Sequence, residues 1–221
     1  MISCGGHKKM SLEPIGFEQL KSVKIEKGNL KAVFIDNTEL PPVHRAGYNG
    51  IAELYHTDQD STVFVPAYAG FNLEHAFGGD SLVQFFEPRI NPMTLYMKSE
   101  NEVFLYQKVK PISVAESITE FKLVEPCYID ITFRCILHDK QYFRHGYAGF
   151  FWASYINKPP DRNIYFRGIT EDQPSETWIS AFSEKHGTKS THRIRQKKAE
   201  VKSILTGQSI SFKTINNVIK L

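Results

Sequence analysis

Between residues 128 and 156 the chain reads YIDITFRCILHDKQYFRHGYAGFFWASYI. From Ile129 the odd positions Ile129, Ile131, Phe133, Cys135 and Leu137 are apolar, whereas Asp130, Thr132, Arg134 and His138 are polar and Ile136 is the one break in the alternation. A period of two predicts a strand with one buried face and one face open to chemistry. After a polar connection, Gly146 and Gly149 lead into the aromatic run FFWASYI, which predicts a second strand. The two are expected to pair at the centre of a large sheet, with His138, Arg144 and His145 at the end where they meet.

The rest of the chain up to residue 184 repeats this short-strand rhythm. Residues 30–35 (LKAVFI) and 51–56 (IAELYH) read as strands separated by NTELPPVHRAGYNG, where Pro41 and Pro42 exclude a helix. A strand is predicted at 62–65, followed by a glycine-punctuated loop that carries Tyr68, Asn72, Glu74 and His75. Residues 82–86 run into Glu87-Pro88-Arg89, and TLYMK and VFLYQ, joined by Ser99-Glu100-Asn101-Glu102, predict a hairpin. Residues 112–123 alternate loosely until Glu125-Pro126 breaks them, and IYFR and WISAF complete the pattern beyond the Asn157–Asp161 loop. About ten strands and no amphipathic helix before residue 185 predict an all-β sandwich.

The last segment differs. Thr191 is placed to cap a helix with Ile194, Val201, Ile204 and Leu205 on one face and Gly207 at its end. Residues 185–221 hold nine Lys/Arg and one acid, Glu200, while residues 1–184 hold 18 Lys/Arg against 23 Asp/Glu. The expected organisation is therefore a β-sandwich domain at 12–184 and a basic, helical extension at 185–221.

Composition sharpens this. Aromatics make up 13% of the residues, which favours sheets. No apolar run reaches membrane-spanning length, and MISCGGHKKM lacks the apolar core of a signal peptide, so the expected setting is the cytoplasm without membrane partners. Cys4, Cys127 and Cys135 form neither a disulfide framework nor a zinc pattern. His44, His56 and His75, 12 and 19 residues apart, lack the tight spacing of metal ligands, and no glycine-rich phosphate motif occurs, so neither metal nor cofactor is expected. The basic tail would offer a phosphate-binding surface, but the acidic body and the lack of a reader motif argue against nucleic acid.

The order of elements, with FEPRINPM before a hairpin, an ITFRC strand and a His-Gly-Tyr turn into FFWASYI, resembles the galactose mutarotase-like proteins over residues 30–182. The resemblance implies a β-supersandwich, an arginine after a strand in the first half at Arg89, sugar-contacting histidines at His138 and His145, and a sugar-stacking aromatic at Trp152 or Tyr147. The family's general base, a glutamate late in the domain, has no counterpart here, because the basic tail occupies that region.

Opening a sugar hemiacetal needs one group that takes a proton from the anomeric hydroxyl and another that gives one to the ring oxygen. The expectation is that His145 or His138 serves as acid and Glu74 or Glu87 as base, with Arg89 and His75 holding hydroxyls. The loop His44-Arg45-Ala46-Gly47-Tyr48 places a further His, Arg and Tyr where they face a polar ligand. The sequence thus points to an aldose 1-epimerase-like protein acting on a small or oligomeric sugar. The alternative is a non-catalytic sandwich that binds carbohydrate or a protein through the His44 and His75 loops. A sandwich short of its last strands also exposes a sheet edge, which leaves a homodimer open.

Overall fold

A computed structural model describes residues 11–78, 86–139, 141–144, 146–168 and 175–181. The strands are β1 (Gln19–Leu20), β2 (Ser22–Lys27), β3 (Leu30–Ile35), β4 (Gly50–His56), β5 (Asn72–Phe77), β6 (Thr94–Ser99), β7 (Glu102–Gln107), β8 (Ala115–Val124), β9 (Tyr128–Leu137), β10 (Gly149–Ala153), β11 (Ile164–Gly168) and β12 (Thr177–Ala181). Among the described residues the one helix is α1 (Glu87–Ile90), four residues long, and it precedes β6. All strand pairs are antiparallel, so the fold is all-β. Among the described residues no helix is long and apolar enough to cross a membrane. The expected helix after Thr191 lies outside the described residues.

The chain divides into two compact units between Lys158 and Pro159. The first unit holds a five-stranded sheet in the order β1-β6-β7-β8-β9, a three-stranded sheet β2-β3-β4 and the pair β10-β5. Alternation sorts their side chains. Leu95, Val103, Leu105, Phe121 and Leu123 of the large sheet meet Ile25, Ala32, Phe34, Ile51 and Leu73 in one core, with the Phe34 and Phe121 rings 5.6 Å apart. On the opposite face Tyr96, Phe104 and Ile118 pack together, and the segment before β1 covers them through Leu12 and Phe17. β8 is buried along the five consecutive residues of its first half, from Ala115 to Thr119.

The predicted hairpin is β6-β7, and its turn is pinned to β8 because Asn101 Nδ2 donates to the Leu123 carbonyl at 2.9 Å. The pairing expected between residues 129–137 and the aromatic run is not the one formed. β9 pairs over its whole length with β8, from Ala115↔Leu137 to Val124↔Tyr128, and ends the sheet. β10 pairs instead with β5. The connection 125–127 closes β8 onto β9 at small entropic cost, which the longer return to β10 does not match. Residues 62–65 likewise form no strand but one bridge, Phe64↔Ile156. Phe64 lays its ring on Gly70, where a Cβ would sit 1.9 Å from ring carbon.

The second unit contains the β11-β12 hairpin. Within it Arg167 pairs with Glu176 at 3.1 Å and lies 5.8 Å from the Trp178 ring.

Candidate functional site

The β10-β5 pair positions the site by an irregularity. Phe151 faces His75 and Trp152 faces Leu73, so Glu74 is the extra residue of a bulge. A bulge re-aims a side chain, and here it lets adjacent residues share one face. Glu74 Oε2 lies 3.3 Å from His75 Nε2. Phe151 stacks on the His75 ring at 5.3 Å, while Phe150 and Trp152, on the other side of β10, pack on Phe133.

Glu74 is the hub. Its Oε1 accepts from Arg89 Nη1 at 3.0 Å and from the Tyr155 hydroxyl at 2.8 Å, with only 8% of the side chain exposed. Burial, followed by the hydrogen bond and charge of Glu74, pushes the Tyr155 hydroxyl well above the ordinary phenol range. Tyr155 meets Tyr68 and Tyr48 in a cluster with ring centroids 4.8 to 5.4 Å apart. The guanidinium of Arg89 lies 4.1 Å from the Tyr48 ring centroid and donates through Nε to the Gly47 carbonyl at 3.3 Å. Its Nη2 has no acceptor among the described residues.

Outside this layer lies an open cleft of about 680 Å³ lined by Asn37, Thr38, Ala46, Gly47, Phe86, Arg89, Ile90 and Pro92. Its wall is held firmly. Asn37 Nδ2 donates to the Arg89 and Asn91 carbonyls at 3.1 and 2.7 Å, and its Oδ1 accepts from Met93 N at 2.9 Å. Phe86, 45% exposed, separates the cleft from His75, whose ring is 4.5 Å away. Glu74 is behind Arg89 and does not line the cleft.

The structure brings together Glu74, His75 and Arg89, and it sets the loop residues beside them. His44 is 3% exposed and fixes its loop through Nε2 and the Tyr48 carbonyl at 2.8 Å, and burial lowers its pKa. Arg45 donates to the Tyr68 hydroxyl. Trp152 faces the core, and Phe151 takes the place beside His75. Tyr147 is exposed and packs on Phe77. Glu87 has a structural setting: 1% exposed, it accepts from Ile112 N and Ser113 N at 2.8 to 3.2 Å and ties α1 to the loop between β7 and β8. His145 lies outside the described residues.

His138 belongs to a different cluster. Its Nε2 lies 2.7 Å from Oε2 of Glu116, a residue 1% exposed, whose Oε1 accepts from Ser11 Oγ, Leu12 N and the Tyr106 hydroxyl at 2.8 to 2.9 Å. Lys108, Val109 and Val114 line a hollow of about 400 Å³ beside it. Sequence reasoning missed Glu116, because an acid within a loosely alternating strand reads as solvent-facing. It also assigned Tyr155 to an apolar run, since nothing in the local pattern signals the bulge opposite.

No protein-family model matches the chain, and no curated protein and no solved structure matches it.

Proposed function

We propose that this all-β protein recognises a carbohydrate in the Arg89 cleft, with an architecture of the galactose mutarotase-like kind. The observation that carries the reading is Arg89 itself. Its guanidinium is clamped by Glu74, Gly47 and Tyr48, and among the described residues no acceptor takes its Nη2, which is the donor this reading offers a ligand. Phe86 and the apolar wall of Ile90 and Pro92 suit the C–H face of a sugar ring, while a preorganised donor suits its hydroxyls. Because Glu74 stands behind Arg89, its role in this reading is to position the guanidinium.

A second reading keeps the chemistry of an aldose 1-epimerase, and one observation favours it: Glu74 Oε2 and His75 Nε2 form a carboxylate–imidazole pair at 3.3 Å. It requires the sugar to displace Phe86 and reach that pair.

The test is saturation-transfer NMR of the chain against a panel of mono- and oligosaccharides, with anomer exchange followed in the same tube. Transfer to a sugar that weakens at least tenfold in Phe86→Ala, with unchanged exchange, supports recognition. Accelerated exchange that is lost in His75→Gln selects the epimerase. Absence of transfer to any sugar overturns both.

A further inference from the structure

The last strand of the five-stranded sheet, β9, is ten residues long and pairs with β8 without a register shift, and its far edge meets no strand among the described residues. The other edge, β1, is only two residues long. Natural sheets blunt exposed edges with short strands, prolines or bulges, because a row of unpaired amides and carbonyls templates another strand. β9 has none of these within its span, and Tyr128 (60%) and Ile131 (37%) stand exposed along it.

We propose that β9 pairs antiparallel with β9 of a second copy of this chain, about a two-fold axis at Thr132, joining the two five-stranded sheets into one.

The strand is complementary to itself in that register. Directly opposed residues in an antiparallel pair share a face, so Ile129 and Phe133, which pack against the core, and Ile131, exposed on the same side of the strand, must oppose their own kind, and the axis must fall on a residue rather than between two. With the axis at Thr132, Ile131 opposes Phe133, Ile129 opposes Cys135, and Tyr128 opposes Ile136. On the outer face Asp130 opposes Arg134 twice, once on each side of the axis. Asp130 is exposed and makes no ion pair among the described residues, and Arg134, 55% exposed, uses only Nη2 in its bond to Glu120 at 2.9 Å. Moving the axis to Ile131 sets Asp130 against Thr132 and Arg134 against Tyr128, and moving it to Phe133 sets Asp130 against Ile136. Thr132 is therefore the position that pairs the charges, and it also overlaps nearly the whole strand.

Charge exchange tests the register. Asp130→Arg places two arginines opposite each other in a homodimer, and Arg134→Asp places two aspartates, so each variant alone sediments as a monomer. Mixed together, the two variants restore both opposite-charge pairs and sediment with twice the chain mass, as does the unaltered chain. Circular dichroism checks that each variant is folded. Independently of any substitution, hydrogen exchange of the unaltered chain is expected to slow at least tenfold at the outward amides of β9 on concentration from the monomeric to the dimeric range. A monomeric unaltered chain at high concentration, variants that dimerise alone, a mixture that stays monomeric, or β9 exchange that ignores concentration would each overturn the proposal.

Discussion

Arg89 Nη1 stands 3.0 Å from Glu74 Oε1, and neither side chain has much access to water: 20% of the arginine and 8% of the glutamate are exposed. A carboxylate in that position depends on its counter-charge, since removing one partner of a buried pair leaves the other unsolvated and unpaired. Arg89→Met should therefore cost about 3 kcal/mol. Glu74→Gln keeps an acceptor for Arg89 and Tyr155 and should cost about 1 kcal/mol. Urea denaturation of both variants checks the ordering, and equal costs would mean that leaving Glu74 without its counter-charge is no worse than leaving Arg89 without its own.

The Tyr155 and Tyr106 hydroxyls are both held above the ordinary phenol range, first by burial and then by the carboxylates of Glu74 and Glu116. A raised pKa in the fold gives stability that is complete below the unfolded value of about 10 and lost as pH rises through the folded one. Following phenolate absorbance, these two tyrosines should stay protonated at pH values where exposed tyrosines have ionised, until alkaline unfolding releases them. Each Tyr→Phe variant should show a shallower alkaline loss of stability.

Glu116 gives the opposite slope. Burial pushes its carboxyl up, but hydrogen bonds from His138, Ser11, Tyr106 and Leu12 N together outweigh burial and hold it below its ordinary value of 4.5. A depressed carboxylate contributes stability that is present above the unfolded value and lost as pH falls through the folded one. Thermal denaturation between pH 7 and 3 should show a fall below about pH 4.5 that is smaller in Glu116→Gln. Because Ser11 and Leu12 are both held by Glu116, proteolysis ahead of β1 should accelerate in the same acidic range.

Lys110, 1% exposed, donates from Nζ to the Ala115 carbonyl at 3.1 Å. Burial lowers its pKa to about 8, against a weaker opposing pull from Glu87. The folded state thus binds fewer protons than the unfolded chain between about pH 8 and 10.5, and stability contributed by this group rises across that window. Lys110→Met should stabilise the protein at pH 7 by on the order of 2 kcal/mol, with the gain shrinking towards pH 10. Urea denaturation at the two pH values measures both parts.

Much of the fold is legible in local pattern. The β6-β7 hairpin follows from two alternating segments and a four-residue turn, and residues 30–35 and 51–56 form β3 and β4 nearly as the alternation predicts. Pro126 likewise ends β8 where the alternation breaks. Each of these is decided within a short span of chain. The site is legible only in part: Glu74, His75, Arg89 and the His44 loop stand out by residue type, whereas Tyr155 and Glu116 do not.

What only the tertiary structure decided is which distant strands meet. A period of two marks a strand but does not name its partner, so β9 and β10 looked like neighbours until β8 took one and β5 the other. That choice separates His138 from His75 and puts the first with Glu116 and the second with Glu74 and Arg89. The bulge at Glu74 arises from fitting β10 against β5, residues far apart in the chain. The sequence by itself determined the all-β class and most strand positions, because alternation and turn residues act locally. Pairing, bulge and site came from packing, because burying both faces of the central strands is a condition on the whole chain at once.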